Sequence, residues 1–174
     1  MTINYGKKYV KLNSKKGSLK NQLKLASNAF DNQEEIPNKY RFDYGQNINP
    51  PFKFNSIPVK TNSLALIIED LDSPSICINW VLWNIPPTTE EIFEGKIPQG
   101  AVVGKNFLDS NSFYGFCPLQ GRHNYSFILF ALDRLIDIES DSSISKVFDE
   151  IFDHIIDYDE LIGYCEKIGE FILE

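Results

Sequence analysis

Three apolar stretches of strand length constrain this chain more than anything else in it. Ser63–Glu69 (SLALIIE) runs without interruption from Leu64 to Ile68, as in a strand covered on both faces. Ile76–Ile85 is again rich in β-branched and aromatic residues and stops at the Pro86-Pro87 pair. Asn124–Leu132 (NYSFILFAL) is the third. Between the first two, Leu71–Ser75 must turn, because Pro74 lacks an amide hydrogen and biases Ser73 away from helix. Thirteen Phe and eight Tyr suit the pleated, half-buried surface of a sheet.

The remaining segments read as lead-ins, edges and caps. Lys24–Ala29 opens the folded part, with a short strand expected upstream at Lys8–Leu12. Glu35–Tyr44 is mixed, and Pro37 permits only an edge strand or a turn there. Gly45–Phe54 is a loop leading into a short alternating strand. Thr88–Gly95 predicts one helical turn capped by Thr89, and Gly100–Phe107 a short strand interrupted by Gly104. Past Asp133 the period changes. Ile144, Val147, Phe148, Ile151 and Phe152 follow helical spacing, and Leu161, Tyr164 and Ile168 suggest a second helix over Asp157–Ile168. Strands followed by one or two helices predict a mainly β, antiparallel fold with a helix near the C-terminus.

At 174 residues, the chain reads as a basic arm over residues 1–22 and one domain over 23–174. Residues 1–30 hold seven lysines and no acid, which leaves ten basic against 24 acidic side chains beyond them, a charge of −14. So acidic a body is not a nucleic-acid binder. Cys77, Cys117 and Cys165 form no CxxC pair, and with only two histidines no metal site or cofactor is expected. No stretch is apolar enough to span a bilayer, and the first 20 residues lack the apolar core of a signal peptide. The expectation is a cytoplasmic protein with at most peripheral membrane contact.

Two polar clusters sit where the apolar runs begin and end. Asp70, Asp72 and Pro74 follow the first run, and Asn79 lies inside the second. Tyr114, Gly115, Pro118, His123 and Tyr125 precede or open the third. If the runs share a sheet, both clusters meet at one end of it and make a small pocket of carboxylate, imidazole and phenol groups. His123 and Tyr125 are two apart on a strand and so face the same way. Arg122 should face the other way unless the loop bends. Asp70 suits an orienting partner for the imidazole, whereas Asp72 reads more simply as a cap of the turn. His154 and Cys117 read as structural, the latter as a small buried hydrophobe.

The blocks LIIEDLDSP, INWVLWNIP, GKNF, YGFCPLQGRHNY and FALD, in this order, resemble the phosphatidylethanolamine-binding protein family, in its bacterial-type branch. The resemblance covers about residues 24–168 and takes in IPNKYRFDYGQNINPPFKF upstream and DHIIDYDELIGYCEK, similar to that branch's closing helix, downstream. It implies that Asp70, Asp72, Pro74, Asn79, Tyr114, Gly115, Pro118, His123 and Tyr125 shape a ligand pocket, with a cis bond at Ser73–Pro74. The chain departs from the family pattern at three places. Leu71 replaces a proline, Phe116 stands where the family has Gly-Pro and should reshape or plug the rim, and Asn79 stands where the family has a histidine.

The function implied is non-enzymatic binding of a phosphate-like or phospholipid head-group anion. The family also implies regulation of a signalling partner such as a kinase or protease. Two alternatives stay open: an interaction domain whose pocket has lapsed through Asn79, and a hydrolase using His123 with Asp70 as base and water or Cys117 as nucleophile.

Overall fold

The computed structural model describes residues 21–168. Among these described residues, nine strands and one α-helix follow in the order β1 (Lys24–Ala26), β2 (Glu34–Glu35), β3 (Phe52–Asn55), β4 (Ser63–Asp70), β5 (Ile78–Ile85), β6 (Glu91–Ile92), β7 (Val102–Val103), β8 (Arg122–Leu132), α1 (Ile144–Asp153) and β9 (Ile155–Glu166). Six of the strands form one sheet in the order β2-β9-β8-β4-β5-β7, and β1-β3-β6 form a smaller one. Every pairing is antiparallel except β2 with β9.

The long sheet is covered on both faces, which is why its central strands lack polar alternation. On β4, Leu64, Leu66 and Ile68 belong to a core shared with Leu25, Phe52, Phe54 and Ile92 of the small sheet. Ala65 and Ile67 belong to a second core beneath α1, with Val147, Phe148, Ile151 and Phe152. β8 divides in the same way, Phe127 and Leu129 going to the first core and Ile128 and Phe130 to the second. The helix buries the face that its spacing predicts, and the Ser143 hydroxyl accepts the Lys146 amide at its start.

Three expectations are corrected. The second helix over Asp157–Ile168 is instead β9, paired with β8 along eleven residues. Its buried positions include Ile155, Asp157, Leu161, Gly163 and Cys165, a period of two from Leu161 onward that the acidic residues obscure. Gly163 faces Tyr125 across the ladder, and a β-carbon there would fall 2.6 Å from Ile36 and 2.8 Å from Phe30. Only glycine lets these side chains cross the strand. The helical turn expected at Thr88–Gly95 is a turn followed by β6, because Phe52 and Lys53 of β3 draw Ile92 and Glu91 into the small sheet. The Ser73–Pro74 bond is trans, as are all the described peptide bonds. The turn is closed by a side chain, since Asp70 Oδ1 accepts the amides of Asp72 (3.0 Å) and Ser73 (3.1 Å). The strand expected at Lys8–Leu12 and most of the basic arm lie outside the described residues.

Candidate functional site

At the end of the long sheet where β4 stops, the β4–β5 turn, the 107–120 loop and the start of β8 enclose a cavity of about 570 Å³. Asp70, Asp72, Pro74, Asn79, Tyr114, His123 and Tyr125 all line it. The pairing of β4 with β8 sets Asp70 opposite Tyr125. His123, two residues earlier on the same face, places Nδ1 2.7 Å from Asp70 Oδ2. With the carboxylate accepting, Nδ1 carries the hydrogen; Nε2 is then an acceptor in the neutral ring and a donor in the imidazolium. The side chains of Asp70 and His123 are 8% and 16% exposed, so this pair is shielded from water on most sides.

Asn79 reaches the cavity through a slip in the ladder. On β5, Trp80 pairs with Ile68 and Ile78 with Glu69, so Asn79 is the extra residue of a bulge. The slip explains how Ile78 and Trp80, two residues apart, belong to opposite cores. The Tyr114 amide donates to the Asn79 carbonyl at 2.9 Å, and Asn79 Nδ2 returns a bond to the Tyr114 carbonyl at 3.1 Å. That exchange sutures the 107–120 loop to the sheet.

Two buried polar atoms on cavity-lining residues have no hydrogen-bond partner among the described residues: Asn79 Oδ1 and the Tyr125 hydroxyl. Burial pushes the Tyr125 phenol far upward, and the nearby Asp70 carboxylate adds to the shift. The Cys117 amide weighs slightly the other way without completing a bond of normal geometry. Tyr125 is therefore a neutral, buried hydroxyl.

Asp72 does not cap its own turn through local backbone bonds, a part Asp70 takes; it anchors the turn to β8. Its Oδ2 accepts from both the backbone amide (2.7 Å) and the side chain (2.8 Å) of Asn124. The amide bond holds this carboxyl below the ordinary aspartate range, against a smaller opposing effect of burial. Gly115 and Pro118 are buried in the loop and do not line the cavity. Gly115 is needed because a β-carbon there would sit 2.6 Å from the Phe42 amide nitrogen. Arg122 turns away and lies over the Tyr164 ring, 3.4 Å from its centroid, so its guanidinium is not part of the cavity wall. Nor does Phe116 plug the rim. It is fully buried beneath Tyr125, with ring centroids 4.7 Å apart.

Several wall residues were not assigned to the pocket from sequence, and Cys117, expected as a small buried hydrophobe, is half-exposed on the wall. Ser73, Ser75, Ile76, Cys77, Phe107, Cys117, Leu119 and Gln120 complete the wall. Tyr114 stacks on Phe42 at 4.4 Å and takes the edge of Phe107 at 4.8 Å, making an aromatic rim. Behind the loop, Arg41 is 1% exposed and grips Asp43 through two 2.8 Å bonds, with a third to the Glu166 carbonyl. Burial pulls the Asp43 carboxyl upward, but the contacts with Arg41 outweigh it and hold the group low. An arginine so deeply buried has no signature in a single sequence; only its pairing reveals it.

The cavity thiols are quiet. Burial pushes Cys77 up to about 11, with Asp70 adding to the shift, and burial also raises Cys117. Fewer thiolates mean slower alkylation. Iodoacetamide at about pH 8 should modify Cys77 at least roughly tenfold more slowly than a free peptide thiol, read by mass spectrometry of its peptide. Labelling at the peptide rate would show that this thiol is not shielded. His154 pairs with Asp133 at 3.0 Å at the end of α1, far in role from the cavity and consistent with a structural part.

The comparisons agree with this architecture. The family model described as "Phosphatidylethanolamine-binding protein" matches residues 26–166. A UPF0098 protein of Methanothermobacter thermautotrophicus is 37% identical over 151 residues, covering 83% of this chain and 99% of that protein. A UPF0098 protein of Chlamydia pneumoniae is 35% identical over the same shares of the two chains. Among solved structures, a phosphatidylethanolamine-binding protein homolog from Chlamydia trachomatis superposes with a TM-score of 0.80 at 32% identity, covering 85% of this chain and 99% of that one. E. coli YbcL, described as a member of the mammalian PEBP family, gives 0.79 at 27% identity with the same coverage. Matched along most of its length by the family model, by close relatives and by solved folds, this chain belongs to the phosphatidylethanolamine-binding protein family.

Proposed function

We propose that this protein is a non-enzymatic binding module whose cavity takes a small phosphate-type anion, free or as a head group. The observation that carries the reading is the Asp70–His123 pair, 2.7 Å apart at the cavity wall, beside the buried and unpartnered Tyr125 hydroxyl. The carboxylate orients the imidazole by holding Nδ1, which leaves Nε2 as the ring atom free to face a ligand. Together, His123 and Tyr125 offer donors to an oxyanion from two adjacent positions on one strand face. The cavity volume of about 570 Å³ is that of a small-ligand site, with room for a head group but not for acyl chains. Asp70, Asn79, Tyr114, His123 and Tyr125 are the residues assigned to the ligand, while Asp72, Pro74, Gly115 and Pro118 shape the turn and loop that hold them.

Two further features bear on this reading. The quiet thiols of Cys77 and Cys117 disfavour a cysteine nucleophile, which weakens the hydrolase alternative. All three cysteines are free, which fits a reducing, cytoplasmic setting. Regulation of a signalling protein would act through the surface around the aromatic rim.

The test is an NMR titration of the His123 ring and the Asn79 side-chain amide with inorganic phosphate and phosphorylethanolamine. A ligand bound with about −4 kcal/mol is half-saturating near 1 mM. Saturable shifts of both signals are expected in that range. Silence of both up to tens of millimolar would leave the lapsed-pocket alternative in possession.

A further inference from the structure

We infer that residues 169–174 of this chain (GEFILE) fold back over the mouth of the cavity. Phe171, Ile172 and Leu173 lie on its apolar rim, and the Glu174 carboxylate is set against His123, where a phosphate would otherwise sit. This rests on the reading of the cavity as an anion site and names an occupant for it within the chain itself.

β9 delivers the chain to that mouth. Glu166 pairs with Arg122, one position from His123 on the ladder. Just beyond, the Lys167 amide donates to the Gly121 carbonyl at 2.7 Å, and the buried Arg41 holds the Glu166 carbonyl. The chain therefore leaves the sheet alongside Gln120 and Leu119, both of them cavity wall. Gly169 permits a sharp reversal there. Six extended residues reach about 20 Å, further than a cavity of about 570 Å³ is wide.

Rim and segment have matching needs. Leu119 is 76% exposed, and Leu71 and Phe107 are each 40% exposed. Leu119 and Phe107 line the cavity, and Leu71 lies between the lining residues Asp70 and Asp72. Phe42, also exposed, stacks on Tyr114 beside them. Proteins rarely leave such a group of apolar side chains uncovered around one opening. Val59 and Leu135, by contrast, are exposed singly near the opposite end of the sheet, where β4 begins and β8 stops. The segment brings three consecutive large apolar residues between Glu170 and Glu174. Pressed on the rim, they and the rim leave water together.

The cavity also suits an acidic occupant. Asp70 holds His123 Nδ1, so Nε2 is the ring atom left for a carboxylate to meet. The two carboxylates already at the wall are engaged: Asp70 by the ring and by the amides of Asp72 and Ser73, Asp72 by Asn124. A carboxylate at Nε2 favours the imidazolium, as a phosphate would. Being tethered, it competes at a millimolar or higher effective concentration. A contact that is weak between separate molecules is then largely made within one.

Calorimetric titration with inorganic phosphate tests this on the full chain and on two full-length variants. One is Glu174→Gln; the other combines Phe171→Ser, Ile172→Ser and Leu173→Ser. These positions lie past the residues that the family model matches, 26–166, so their replacement leaves the folded body intact. Uncovering the cavity should raise phosphate affinity at least about fivefold in both variants, because apparent affinity falls with the fraction of open cavity. An acetylated peptide of residues 169–174, added to the triple variant, should weaken phosphate binding again. Equal affinity in all three proteins would overturn the cover and leave the anion site standing. A gain in the triple variant alone would overturn the Glu174 contact. A gain that vanishes on dilution of the protein would overturn folding back within one chain and assign the segment to the cavity of a second copy. No phosphate binding by any of the three would overturn the anion site itself, and this inference with it.

Discussion

His123→Ala should weaken phosphate binding by about thirtyfold or more, because it removes the group in the cavity that can become a cation. Asp70→Asn should cost less, about tenfold, since the amide can still accept a bond from the ring and keep it oriented, though less strongly than a carboxylate. Asp70 also closes the β4–β5 turn through Oδ1, so this variant should melt at a lower temperature, whereas His123→Ala should melt close to the parent. Calorimetry with inorganic phosphate and a thermal melt of each variant separate the two roles. Unchanged affinity in His123→Ala would remove the imidazole from the site.

The largest effect on stability should come from Phe116→Ala. The ring is fully buried and meets Phe113 at 5.7 Å, Tyr125 at 4.7 Å and Phe127 at 5.7 Å between centroids. Truncating such a side chain costs about 3–5 kcal/mol, as transferred surface and as the void left behind. For a chain of this size, that lowers the melting temperature by about 10 °C. Phe116 also backs Tyr125, so phosphate affinity should fall together with stability. A loss below about 1 kcal/mol would show that the aromatic cluster closes over the gap, and that Phe116 is not what holds Tyr125 in place.

The legible parts of this molecule are those whose signal is local. The β4, β5 and β8 runs are too apolar to be anything but covered strands, and the spacing from Ile144 to Phe152 admits only a helix with one buried face. β9 was not legible. Leu161, Tyr164 and Ile168 fit a helical face as well as Leu161, Gly163 and Cys165 fit a strand. The choice fell to β8, whose free edge needed a partner over eleven positions. Local pattern was ambiguous there, and a non-local hydrogen-bond ladder outweighed it. β6 follows the same logic on a smaller scale, recruited by β3 rather than by its own residues.

The candidate site divides in a similar way. That His123 and Tyr125 share a face follows from the two-residue period of any strand, so their cooperation was written in the chain. The meeting of His123 with Asp70, 53 positions away, required the register of β4 on β8. The placement of Asn79 required a bulge, and the orientation of its amide required the Tyr114 carbonyl. Arg41, which sequence did not single out, and Phe116, read from sequence as a rim obstruction, became a buried clamp and a core ring once the chain closed around them. Side-chain type and strand period are properties of neighbours along the polymer, which is why sequence alone determined them. Register, bulges and the atoms left without partners are properties of neighbours in space, and only the packed structure decides those.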